Sequence, residues 1–335
     1  MRIFVCEYVT GGGMAGSPLP ESLAREGDMM VRALTRDLLA LPGVEVVLSR
    51  DSRLGPLDMS MIMAMPSAND DVWRLWDRCI READAVWPIA PETGGILERL
   101  SALVLERGRI LLGSRPGAVR VAGSKRAAAV YLRRHGVPVV TTRPMDGAPP
   151  RSAAGWVVKP DDGAGCMDTR LFHDPHELQA WCATRGPGSP YVVQPYVPGI
   201  PASLSLLCHE GTARILACNR QWVEVTDGAF RYRGSAVNAV WDRDGALCGI
   251  GRAVAVALPG LWGYVGVDVV LTETGPVVLE INPRLTTSYV GLHPALGVNP
   301  AGLVLGLLGQ PTRVLTAWSG HGKTALVEAG MEGHG

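Results

Sequence analysis

The sequence predicts an α/β fold followed by an α+β one: a small doubly wound parallel sheet first, then a region rich in antiparallel strands. Three observations carry this. Up to about residue 115, short apolar runs alternate with longer amphipathic ones, the pattern of strands joined by crossover helices. From about residue 198 onward β signals dominate and one helix interrupts them. The length, 335 residues, is too great for one ordinary core, so two or three domains are expected.

In chain order, the first region holds strands at Arg2 to Val9, Val44 to Leu48, Met59 to Ala64, Ala85 to Ile89 and Arg109 to Leu112. Helical spacing lies between them at Glu21 to Leu41, Asp70 to Ala83 and Gly95 to Arg107. A second region opens at Gly123-Ser124-Lys125, where Ser124 can cap a helix running to His135 before Gly136-Val137-Pro138 stops it. Strands at Trp156 to Lys159, Thr169 to Phe172 and Tyr191 to Tyr196 follow, with a helix around Glu177 to Thr184. The third region offers strands at Ser203 to Cys208, Arg214 to Cys218, Ala229 to Arg233, Tyr264 to Leu271 and Val277 to Ile281, and a helix near Leu247 to Ala257. The expected domains are 1–120, 121–197 and 198–335.

Composition excludes several classes. Hydrophobic residues at 47% against 19% charged describe a folded globular protein. Lys+Arg and Asp+Glu each number 32, so no global field draws nucleic acid or an anionic membrane. The seven cysteines are scattered, odd in number and form no CxxC pair, which argues against a zinc site or a disulfide framework. The chain runs straight into a strand at Arg2 rather than a signal peptide, and the apolar stretch Ala253 to Leu271 is broken by Pro259-Gly260 and carries Asp268. A soluble, cytoplasmic protein with neither nucleic-acid nor membrane partners is expected; its oligomeric state is open.

The most informative stretch is Gly266-Val267-Asp268-Val269-Val270-Leu271, then Thr272 to Gly275, then Pro276-Val277-Val278-Leu279-Glu280-Ile281-Asn282-Pro283-Arg284. Two apolar runs about a short polar turn read as a hairpin. Folding back at Thr274 sets Asp268 opposite Glu280, and strand alternation puts Asn282 on the same face. Opposed carboxylates among Val, Leu and Ile repel strongly, and a divalent cation relieves that; their oxygens suit Mg²⁺ holding phosphates. The alternative is that these polar groups face water or cap the turn.

Asp268 followed by Glu280-Ile281-Asn282-Pro283-Arg284 resembles the metal-binding end of ATP-grasp enzymes. The resemblance implies an ATP-grasp fold behind an N-terminal Rossmann-like domain. It makes Asp268, Glu280 and Asn282 ligands of two Mg²⁺ ions, with Mn²⁺ an alternative, and Arg284 a catalytic charge stabiliser. Other parts stand in the family's order. Trp156-Val157-Val158-Lys159-Pro160 ends in a lysine, and Asp161-Asp162-Gly163-Ala164-Gly165-Cys166 follows as a glycine-rich loop whose Gly163 and Gly165 let N–H groups approach phosphate. By the same resemblance Lys159 is an ATP-binding and catalytic lysine, Lys125 is the first ATP lysine, and Val193-Gln194-Pro195-Tyr196-Val197 is the adenine hinge, with Gln194, Tyr196 and Val197 as contacts. Two departures stand out: Gln194 or Pro195 replaces a frequent glutamate, and Pro201-Ala202-Ser203 occupies the place of a ribose-binding one. Cys166 has no histidine partner nearby in sequence and reads as a loop residue.

Two motifs are decoys. Gly11-Gly12-Gly13-Met14-Ala15-Gly16 matches a dinucleotide fingerprint, but Ser17-Pro18-Leu19-Pro20 delays the helix that should begin at its last glycine. A substrate-binding glycine loop is the expectation there. Gly320-His321-Gly322-Lys323-Thr324 imitates a P-loop without its first glycine and with too little chain after it.

The chemistry implied is an ATP-dependent, ADP-forming carboxylate–amine ligase that works through an acyl phosphate. Glu7 to Gly13, Ala90 to Gly95, Cys218 to Gln221 and Leu261 to Tyr264 are similar to tyramine:glutamate ligases of methanofuran-type cofactor biosynthesis. That resemblance implies L-glutamate as the acid and tyramine or tyrosine as the amine, with Glu92 and Arg220 as substrate contacts. Another ATP-grasp ligase, acting on amino-acid, purine or carbamoyl substrates, and a non-catalytic ATP-binding regulator are the rival readings.

Overall fold

Ile3, Phe4, Val5 and Cys6 are all fully buried, as befits a strand covered on both faces. They form β1 (Arg2–Glu7), the centre of a parallel sheet in the computed structural model, which describes residues 1–67, 69–163, 165–186, 188–316 and 322–329. The chain continues through α1 (Glu21–Leu39), β2 (Glu45–Ser49), β3 (Ile62–Ala64), α2 (Val72–Glu82), β4 (Ala85–Ile89), α3 (Ile96–Glu106) and β5 (Ile110–Leu111). The strand order is β3-β2-β1-β4-β5, every pair parallel. Winding reverses between β1 and β4, and it is at the carboxyl ends of the strands beside such a switch point that doubly wound folds bind ligands.

Two helices lead out of this sheet. The first, α4 (Pro116–Gly123), has proline at its first position, which pre-sets helical φ. It has no counterpart in the expected elements, because eight residues are too few for a clear period. The second, α5 (Lys125–Arg134), is capped by the Ser124 hydroxyl, which accepts from the Ala127 N–H. There follow β6 (Arg143–Pro144), β7 (Trp156–Pro160), β8 (Arg170–Phe172), α6 (Pro175–Arg185), β9 (Tyr191–Pro195), β10 (Ile200–His209), β11 (Thr212–Thr226), β12 (Ala229–Val237), α7 (Ala246–Ala257), β13 (Gly263–Thr272) and β14 (Gly275–Asn282). Last come α8 (Leu292–Leu296), α9 (Pro300–Gly306), α10 (Pro311–Thr316) and β15 (Ala325–Glu328). The P-loop imitation falls here: Gly320 and His321 lie outside the described residues, as does Ala164 of the glycine-rich loop.

Among the described residues β6 to β15 make one antiparallel sheet, ordered β14-β13-β10-β11-β12-β8-β7-β9-β6, with β15 beside β12. The expected strand at Arg214 to Cys218 is much longer, because hairpin pairing with β12 extends it to Thr226. A largely apolar helix, α7, covers β10 and β11 and closes a core of Leu204, Leu206, Ile250, Val254, Val265 and Val267.

The first sheet is not an independent lobe. Ile3, Leu34 and Leu48 share one continuous core with Tyr264, Leu285, Tyr289 and Leu292. The seam is polar at its edge, where Asp37 of α1 accepts from the Tyr289 hydroxyl at 2.9 Å and meets His293 Nδ1 at 2.6 Å. Among the described residues no helix is long and apolar enough to cross a membrane.

The glycine run after β1 forms a tight irregular turn at Val9–Gly13, and α1 begins only at Glu21. No glycine of the run opens a helix, so the phosphate-on-helix geometry of a dinucleotide fingerprint is absent. Ser49 fastens the turn: its hydroxyl donates to the Gly11 carbonyl at 2.6 Å and accepts from Trp76 Nε1 at 2.9 Å, all buried. Ser49→Ala strands both partners, and a loss of about 1–3 kcal/mol is expected, read as a lower urea midpoint at an unchanged slope.

Candidate active site

The floor of the site is the β13–β14 hairpin. Thr272 pairs with Gly275, so the turn is only Glu273-Thr274, one residue tighter than the expected fold-back. A β-bulge restores the expected pairing. Leu279 is the extra residue between the Val269–Val278 and Asp268–Glu280 pairs. Without it Asp268 would face Leu279, and Glu280 would turn to the other side of the sheet. The bulge therefore sets both Leu279 and Glu280 toward the cleft they line with Asp268.

Asp268 is held from two sides. Gln221 Nε2 donates to Oδ1 at 2.9 Å and Asn282 Nδ2 donates to Oδ2 at 3.0 Å. Burial, reinforced by the charge of Glu280, nevertheless raises its carboxyl to about 7. Glu280 responds oppositely. Burial pushes it up too, but the ammonium groups of Lys125 and Lys159 outweigh this and hold it at about 2. Each of the two nitrogens lies 3.4 Å from the same oxygen, Glu280 Oε2.

The roof comes from the strand and helix of the second region. Lys159 sits near the end of β7, and burial lowers its pKa against the pull of Glu280. Lys125 opens α5, and its Nζ also donates to the Gly163 carbonyl at 2.6 Å. Asp161 ties the two together: its carboxylate accepts from the Ser124 hydroxyl at 2.6 Å and from the Arg126 N–H at 2.8 Å, beside the α5 N-terminus where negative charge is favoured. Gly165 and Cys166 follow with φ of 68° and 61°. Burial and the Glu280 charge push the Cys166 thiol up to about 12, away from the thiolate form.

At the hinge, Gln194, Tyr196 and Val197 all line the same cleft. The Gln194 side chain is buried and donates to Thr142 Oγ1 at 2.9 Å, and the Tyr196 N–H is given to the Gly155 carbonyl at 2.8 Å. Arg284 emerges beyond β14 and is met by Glu92 from the turn after β4, with Nε and Nη2 each 3.0 Å from a carboxylate oxygen. The expected substrate contact at Glu92 is thus an ion pair with the arginine.

Arg220 is a correction. Asn219, Ser203 and Asp268 share the cleft face of neighbouring strands, so alternation turns Arg220 to the opposite face, where it is exposed. Gln221 is the residue of that strand which reaches Asp268. Sequence reasoning missed it, although polar Asn219 and Gln221 alternating through an apolar run were a legible sign of a lined face. It also missed Thr142, the partner of Gln194, which no local pattern marks.

The donor set fits magnesium. Two half-buried carboxylates and an amide supply hard oxygens, and burial with the charge of Glu280 raises the Asp268 carboxyl to about 7. Among the described residues no group of three or more His, Cys, Asp or Glu side chains is placed to hold a metal. Mg²⁺ takes one or two carboxylates and fills its shell with phosphate and water.

Comparison with known proteins supports the fold and the ligase class. The ATP-grasp domain family matches residues 122–288 and the pre ATP-grasp 3 domain family matches residues 44–119. The tyramine–L-glutamate ligase of Methanocaldococcus jannaschii is 25% identical over 299 residues, covering 88% of this chain and 86% of the relative. An ATP-grasp superfamily protein from Archaeoglobus fulgidus superposes with a TM-score of 0.71 at 23% identity, over 98% of this chain and 99% of its own. The L-amino acid ligase of Bacillus licheniformis gives 0.62 at 14% identity, over 91% and 73%.

The raised Asp268 carboxyl makes a testable statement about stability. Its folded value of about 7 lies above the unfolded one of about 3.9. The stability it contributes is full below pH 4 and is lost as pH rises through 7. In metal- and nucleotide-free protein, Asp268→Asn is expected to raise the melting temperature over the parent more at pH 8 than at pH 4.5. An equal difference at both pH values would contradict the assignment.

Proposed function

The chain belongs to the ATP-grasp superfamily and is an ATP-dependent carboxylate–amine ligase, and on that premise we propose that it joins the γ-carboxyl of L-glutamate to the amine of tyramine or tyrosine. The observation that carries the ligase site is the triangle in which Lys125 and Lys159 converge on one oxygen of Glu280. Two ammonium groups from one subdomain facing a carboxylate pair from another make a cradle for a phosphate chain bridged to the protein by cations.

Enzymes of this class use ATP and Mg²⁺. Asp268, Glu280 and Asn282 would hold two Mg²⁺ ions, or Mn²⁺ in their place, and bound metal would offset the charge of the triphosphate. Lys125 and Lys159 bind phosphate oxygens, with Gly163 and Gly165 opening the loop for backbone approach. Gln194, Tyr196 and Val197 form the adenine end, where of its main-chain groups Tyr196 has the carbonyl to offer because its N–H is given to Gly155. The substrate carboxylate attacks the γ-phosphorus, ADP leaves, and an acyl phosphate forms. The amine then attacks the acyl carbon, phosphate leaves and the amine sheds a proton. Arg284 would stabilise the transferred phosphoryl group with its guanidinium.

The substrate assignment rests on relatives named tyramine–L-glutamate ligase that match across most of the chain. It implies a step in assembling a methanofuran-type cofactor. Residues 1–120 would carry the substrate side, 121–197 the lid over ATP, and 198–335 the metal-bearing floor.

A panel of acids and amines read by ADP release tests the substrates. Turnover is expected with glutamate plus tyramine or tyrosine. Turnover with another pair would reassign the substrates, and ATP binding without turnover on any pair would make the chain a regulator. Lys159→Ala and Glu280→Ala are each expected to lower turnover by about 10²-fold or more while the protein stays folded. Parental rates in either would refute the site.

A further inference from the structure

We propose that Glu92 is the positioning residue of Arg284, and that its turn, Pro91 to Gly95, ties the first sheet to both the arginine and the glycine-rich loop of the ATP site. The proposal rests on the reading of Arg284 as the group that meets the transferred phosphoryl. The turn follows β4 at the carboxyl edge of the first sheet, beside the β1/β4 switch point. Its partner lies 192 residues further along the chain.

The geometry defines what Arg284 can do. Nη2 donates to Glu92 Oε2 at 3.0 Å, Nε on the same edge of the guanidinium stands 3.0 Å from Glu92 Oε1 as an ion pair outside hydrogen-bond alignment, and Nη1 donates to the Leu285 carbonyl at 3.2 Å. A guanidinium has five N–H donors, so about two remain, one on each Nη. Those two are the fork that meets a planar or tetrahedral oxyanion. Side-on capture by Glu92 is thus what aims the end-on fork. Both partners are buried, so neither swings free at low cost. Gly123 at the end of α4 helps seat the carboxylate: a Cβ there would lie 3.0 Å from the Glu92 Cβ.

The same turn holds the phosphate loop. Thr93 Oγ1 donates to the Asp162 carbonyl at 2.8 Å, and the Gly94 N–H donates to the Asp162 carboxylate at 2.9 Å. Gly94 and Gly95 have φ of 63° and 70°, left-handed values that let three successive residues point two ways. One short turn thus indexes the arginine against the loop that carries the nucleotide's phosphates.

Kinetics with the acid–amine pair that turns over in the panel test this. Glu92→Gln is expected to lower kcat by about 10- to 100-fold and leave the KM for ATP and for the acid unchanged. In an Arg284→Ala background the same change should lower kcat no further, a non-additivity that a purely structural role would not produce. Thr93→Val, which loosens only the Asp162 grip, should raise the KM for ATP instead. The proposal is overturned if Glu92→Gln raises the KM for the acid at parental kcat, which marks a direct substrate contact. It is equally overturned if the two losses in kcat simply multiply, or if Thr93→Val leaves the KM for ATP as it was. An Arg284→Ala protein with parental kcat would remove the arginine's role and this proposal with it.

Discussion

Two carboxylates paired across a buried hairpin cannot both ionise unless positive charge is brought to them. At about 5 Å, and away from water, their repulsion is worth several kcal/mol. Asp268 and Glu280 are such a pair, and the rest of the site is arranged around their compensation. Glu280 is satisfied by two lysines that arrive from a different part of the sheet. Asp268 has only the amides of Gln221 and Asn282, which orient it without neutralising it. The unmet half of the demand is what a cation would supply.

This constraint explains why the second region closes over the third. Lys159 would be a costly buried cation at the end of β7 were it not opposite Glu280, and burial already lowers its pKa. The β8–β12 pairing that joins the two parts of the sheet rests on a single register contact, Arg170 with Ala229. Apolar packing ties the same parts together, since Leu132 and Val137 share a core with Val267, Val278 and Ile281, and the Val278 N–H donates to the Pro138 carbonyl at 2.9 Å.

The first sheet enters the chemistry by a different route. It shares a hydrophobic core with the residues that follow Arg284, so its position relative to the arginine is set by packing density and not by a linker. The catalytic edge of that sheet, where strand order reverses, lies against the arginine. The position where other doubly wound folds receive a ligand here meets a side chain of the protein's own.

Much of this was legible in the residues themselves. Alternation of strands and helices up to residue 115 established the doubly wound sheet. The order of Lys125, Lys159, the glycine loop, the hinge and the Asp268–Arg284 segment pointed to the ATP-grasp fold and its ligase chemistry, since each part is a local pattern of residue types at short spacing. Three features were decided only by tertiary structure. The Leu279 bulge sets the Asp268–Glu280 pairing where the turn alone would miss it, and a bulge depends on neighbouring strands rather than on composition. Arg220 faces away from the cleft and Gln221 into it because the facing of β11 is fixed by partners on β10 and β12. Glu92 found Arg284 because folding brought together two charges 192 residues apart, and burial there made their union the cheapest way to keep both.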